Sequence, residues 1–131
     1  MKKGRYYFKT TVDIPYDQAV ERVREALGKE GFGVLTEIDV KATLKKKLDV
    51  DFKPYIILGA CNPPLAYKTL QIEEQLGLML PCNVVVQEGE GGKTVVAAIS
   101  PEDVMAPVGN DDLAPVAEEV SEKLQRMLKS L

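Results

Sequence analysis

The chain has 131 residues, 45% hydrophobic and 28% charged, which suits one compact domain and leaves no room for a second core. It contains no histidine, so no Ser-His or Cys-His pair and no His-ligated metal site can form within it. Seventeen basic residues against twenty acidic ones leave a net charge of -3, the wrong balance for neutralising a row of phosphates, and nucleic acid is not expected as a partner.

Met1-Lys2-Lys3-Gly4-Arg5-Tyr6-Tyr7 carries charge but lacks the apolar run of a signal peptide. No stretch approaches the roughly 18 apolar residues of a membrane span. A cytoplasmic protein without a membrane partner is therefore expected, with its two cysteines, Cys61 and Cys82, as reduced thiols. Arg5 to Val12, rich in aromatic and β-branched residues, reads as a strand closed by Asp13-Ile14-Pro15. From Pro15, Ala19, Val20, Val23, Ala26 and Leu27 fall on one helical face, and Gly31 stands where a left-handed cap belongs. Phe32 to Val40 then alternates with period two, a strand with one wetter face. Lys41 to Leu48 reads as a short helix without a strong cap, on the spacing of Leu44 and Leu48. Its Lys45-Lys46-Lys47 run reads as a solvated face.

After Pro54, Tyr55-Ile56-Ile57-Leu58-Gly59-Ala60 lacks alternation and predicts a strand at the sheet centre or covered on both faces. Asn62-Pro63 supplies an N-cap and a first-turn proline for a helix through about Leu76, with Gly77 beyond its end. Cys82 to Glu88 and Thr94 to Ile99, joined by Gly89-Glu90-Gly91-Gly92, read as an antiparallel hairpin. That loop lacks the Lys-Ser/Thr ending and the following helix of a phosphate-binding loop, and is read as a turn. Ser100-Pro101-Glu102-Asp103 starts a one-turn connector stopped by Pro107 and Gly109. After Asn110-Asp111-Asp112 comes the last helix, whose stripe runs through Leu113, Val116, Ala117, Val120, Leu124, Met127 and Leu128 to Leu131. The order β-α-β-α-β-α-β-β-α predicts a single α+β domain over 1-131: a mostly antiparallel sheet with its main helices packed on one face.

Gly59-Ala60-Cys61-Asn62-Pro63-Pro64, with Leu80-Pro81-Cys82, is the one constellation above background. Cys61 precedes a helix N-terminus, where unpaired backbone N–H groups favour a thiolate or a small anion. The bland alternative makes Cys61 an apolar strand-end residue, Asn62 a cap and Pro63 a helix starter. A simple crossover through a helix about 20 Å long carries Cys82 toward the opposite end of the sheet, unless Leu78 to Pro81 or an antiparallel arrangement cancels the displacement. Two cysteines without a Cys-x-x-Cys pair do not make a structural zinc site, and no metal or cofactor is expected. Glu37 with Asp39, and Glu102, Asp103, Asp111 and Asp112, read as caps and dipole partners rather than catalytic pairs. The tyrosines, Tyr6, Tyr7, Tyr16, Tyr55 and Tyr67, read as packing residues with the hydroxyl at an edge.

Gly31-Phe32-Gly33-Val34-Leu35-Thr36-Glu37-Ile38-Asp39-Val40, then Tyr55 to Pro63, then Leu80-Pro81-Cys82-Asn83-Val84-Val85-Val86 together resemble the bacterial and archaeal family catalogued as domain of unknown function 302. The resemblance runs over nearly the whole chain. It implies a small α+β domain that pairs as a homodimer, and it brings no established activity and no catalytic residue. Two functional expectations follow. The first is a homodimeric binding module whose groove at Cys61, Asn62 and Pro63, with Cys82, takes a small anionic molecule. The second is a thiol-dependent redox or sulfur-transfer protein using Cys61, with Cys82 as resolving partner. The apolar stripe ending in Leu131 is expected to be covered by the subunit's own sheet or by a second copy, a twofold pair being favoured.

Overall fold

Six short strands, each bounded by turn residues, assemble into one antiparallel sheet in the computed structural model, which describes residues 1–131. They are β1 (Lys2–Lys3), β2 (Tyr7–Val12), β3 (Gly33–Asp39), β4 (Tyr55–Cys61), β5 (Cys82–Glu88) and β6 (Thr94–Ile99), in the order β1-β2-β6-β5-β4-β3. The helices are α1 (Tyr16–Lys29), α2 (Val40–Leu48), α3 (Pro63–Ile72), the short α4 (Pro101–Met105) and α5 (Ala114–Lys129). The fold is α+β. The two-residue β1 pairs with β2 and lies ahead of the first predicted strand.

Period-two alternation decides which side of the sheet the helices cover. On β5, Cys82, Val84 and Val86 are buried, while Asn83, Val85 and Gln87 point the other way. The inward set meets Leu58 and Ala60 of β4 and Val96 and Ala98 of β6, and α1, α3 and α5 lie over it in a single cluster. From α1, Val23 and Leu27 are fully buried; from α5, Leu124, Met127 and Leu128. Each such side chain contributes roughly 1.5–3 kcal/mol of burial. The C-terminal stripe is thus covered by its own subunit, and Leu131 packs partly against the same cluster. A second copy is not needed there. No helix is long and apolar enough to cross a membrane.

Three local expectations change. The last strand-to-helix boundary before α2 is capped after all: the Asp39 side chain accepts a hydrogen bond from the Ala42 amide at 2.9 Å. The helix from Asn62 ends at Ile72 instead of Leu76, because Glu73 turns extended and residues Glu74–Met79 form a 3-10 turn. That turn drops Leu76 into a small second cluster with Met105, Leu113 and Ala117, which a continued helix would not reach. In β3 the register shifts between Val34 and Thr36, so Leu35 is an extra residue and the alternation inverts. Val34 faces inward opposite Ala60, whereas Glu37 and Asp39 share the inward face and Thr36 and Ile38 do not. The bulge has a partner: a Cβ on Gly59 would collide with the Thr36 hydroxyl and with the Pro81 ring, so glycine makes room for both.

Candidate functional site

Cys61 ends β4 and Asn62 starts α3. The Asn62 Oδ1 accepts from the Leu65 amide and its Nδ2 donates to the Glu30 carbonyl, both at 3.4 Å. One side chain therefore caps α3 and ties it to the end of α1. Gly31, at φ +84°, is needed here twice over: it takes the left-handed conformation that closes α1, and a Cβ on it would sit 3.0 Å from Asn62 Nδ2.

The capping also settles what this helix start can hold. Pro63 and Pro64 have no N–H, the Leu65 amide is taken by Asn62 Oδ1, and the Ala66 amide by the Asn62 carbonyl at 2.8 Å. The two amides that this first turn possesses, those of Leu65 and Ala66, are thus already engaged within the cap.

The two thiols are nearer than a simple crossover suggests. The chain after α3 returns through the 3-10 turn and a cis Leu80-Pro81 bond, and β5 runs antiparallel to β4 with Ala60 directly opposite Cys82. Cys61 is one residue beyond that pair. Both cysteines border the same hollow beside α3. Both are free thiols. Cys82 is 7% exposed, and burial, followed by the neighbouring Cys61, pushes its thiol up from 9.0 to about 11. It stays protonated at neutral pH.

What the site residues do line is an apolar cavity of about 300 Å3. Its sheet wall is Ala60, Cys61 and Cys82; Leu65, Ala66 and Thr69 of α3 form a second wall; Phe32, Met105 and Val120 close the interior. The Thr69 hydroxyl donates to the Leu65 carbonyl at 2.7 Å, and Asn62 is occupied as described, so the polar side chains of the lining are already satisfied from within. Leu35 and Leu70 stand at the mouth, 68% and 40% exposed. These mouth leucines were not among the residues singled out from sequence. The visible signal was Leu35, an additional apolar residue on the wetter face of an alternating strand.

Several of the other acidic candidates have structural partners. Glu37 pairs with Arg24, Asp39 caps α2, and Asn110 accepts from the Asp112 amide at 3.1 Å. Asp103 is held below the usual carboxylate range by hydrogen bonds from Lys3 and Ser100. Lys45 pairs with Asp49 and Asp51 on the exposed α2. The Gly89-to-Gly92 loop closes the β5–β6 hairpin, with Gly91 and Gly92 at positive φ. No group of three or more Cys, Asp or Glu side chains converges as a metal site would require.

The family model for DUF302, domain of unknown function, matches residues 8–131. The crystal structure of an uncharacterized conserved DUF302 protein from Bacillus stearothermophilus is similar over 96% of this chain and 98% of that one, with 30% identity and a TM-score of 0.89. No protein of curated function matches.

Proposed function

This chain belongs to the DUF302 family, and from that footing we propose that it is a binding module for a small, largely apolar molecule, held between α3 and the β4–β5 end of the sheet. The observation that carries the reading is the cavity of about 300 Å3 whose polar side chains are spent on the protein's own backbone and whose mouth exposes Leu35 and Leu70. A preformed apolar hollow with few polar groups is the usual form of a small-ligand site, and this one is at the lower end of the range. Its size suits a short alkyl chain or a single aromatic ring. The Cys82 sulfur adds a polarizable patch to the wall, since burial keeps it as a neutral thiol.

The test is a thermal-shift series with straight-chain alcohols from hexanol to decanol, set against inorganic phosphate, nucleotides and short carboxylates. A probe at one hundred times its dissociation constant adds about 2.7 kcal/mol. The alcohols are expected to raise the melting temperature of the wild type and to leave Ala66→Phe, which fills the cavity from its α3 wall, unmoved. Stabilisation by phosphate or nucleotides alone, or equal alcohol shifts in both proteins, would refute the proposal.

A further inference from the structure

The cavity beside α3 gathers sulfur. Cys61 at the end of β4, Cys82 at the start of β5 and Met105 of α4 all line it. Both cysteines are free, so every thiol of the chain stands on this one hollow. Cys82 is paired with Ala60 and Cys61 is the next residue along β4, which at a strand spacing of about 4.8 Å and a rise of about 3.4 Å puts the two Cα atoms roughly 6 Å apart. Cys61 is near enough for its charge to be felt at Cys82. The harder donors are spent or missing: Asn62 and Thr69 are bonded to backbone groups, neither thiol takes part in those bonds, and no carboxylate lines the cavity. A site with sulfur as its one unspent donor type selects its ion by softness.

We propose that Cys61 and Cys82 together hold a monovalent thiophilic cation of the copper(I) class, in line between their two sulfurs at the sheet wall of the cavity. Zinc and the harder ions take more protein ligands than this, and no cluster of three thiolates or carboxylates forms in the chain. A monovalent d10 ion is satisfied by two thiolates, and soft sulfur donors favour it over oxygen-seeking ions. Two metal–sulfur bonds in line span about 4–5 Å, a separation that side chains on neighbouring strands can provide. On binding, two S–H bonds break and two sulfur–metal bonds form; both protons leave to solvent and no electron moves. Cys82 and Met105, 7% and 6% exposed, make the inner end of the site dry and polarizable, while the half-buried Cys61 gives the ion a way in. The inference goes beyond the apolar-ligand reading and does not rest on it, since the ion uses the sulfurs of one wall and the alcohols use the hollow itself.

The test is anaerobic equilibrium dialysis of the full chain against copper(I) supplied as its glutathione complex, with metal analysis and the ultraviolet thiolate-to-copper charge-transfer band as readouts. The wild type is expected to retain one ion per chain against the competing thiol. Loss of an outer-shell partner costs a metal site 10–100-fold in affinity, so loss of a ligand, in Cys61→Ser or in Cys82→Ala, should cost about a hundredfold or more. Alkylation of the wild type reads the site without any substitution, and so without any risk to folding: one equivalent of copper should shield Cys61. A wild type that yields its copper to glutathione overturns the proposal, as does a folded single-cysteine variant that retains as much as the wild type. So do one ion per two chains, which would mean bridging through Cys61 alone, an unshielded Cys61, or zinc displacing the copper.

Discussion

Raising the pH should test the placement of Cys82 directly. Burial, reinforced by Cys61, holds its thiol at about 11 in the folded protein against 9.0 for the unperturbed group. The folded-state value is the higher one, so the unfolded chain loses the proton first. The associated stability is complete below about pH 9 and is lost as pH rises through 11. A displacement of two pH units at 1.36 kcal/mol each is worth roughly 2–3 kcal/mol. Urea unfolding followed by circular dichroism at pH 8, 9, 10 and 11, for the wild type and Cys82→Ala, measures it. Cys82→Ala should cost about 1 kcal/mol at pH 8 for the lost packing. It should then decline less steeply than the wild type, so that the two curves converge or cross by pH 11. Tyr16 also has a raised value, chiefly from burial and then from Asp39 and Asp17, and its alkaline loss is common to both proteins. Parallel curves from pH 8 to 11 would show that Cys82 ionises freely in the folded state, and the description of it as a buried wall thiol would be wrong.

Asn62→Ala should lower stability by about 1 kcal/mol through loss of the α3 cap, measured by denaturant midpoint at constant slope. A change within 0.3 kcal/mol would show that the cap is not formed. Gly59→Ala forces a methyl against Thr36 and Pro81 and should cost about 1–3 kcal/mol, with Thr36→Ala in the same chain recovering part of it. An additive double variant would place the bulge elsewhere.

The elements of this protein are written locally. The 3.6-residue spacing of α1 and α5, the Asn62-Pro63 start of α3, the Gly31 cap and the glycine hairpin each depend on residues a few positions apart, and all stand where the sequence places them. Local signals also sufficed for the family and for the α+β class. Where the outcome depended on distant residues, only the folded chain decided it. Leu35 is a bulge because Gly59 across the strand leaves room for Thr36, a fact about two strands rather than one. The helix after Asn62 stops at Ile72 because Leu76 is drawn toward Met105 and Leu113, and that attraction is invisible in a helical wheel. The distance between Cys61 and Cys82 hung on a return path and a register, which place Cys82 opposite Ala60. Even at the helix start at Asn62, legible as a cap, the acceptors of the Leu65 and Ala66 amides were fixed only by the folded turn. Periodicity tells a strand which residues share a face; tertiary packing determines which face is covered, and by what.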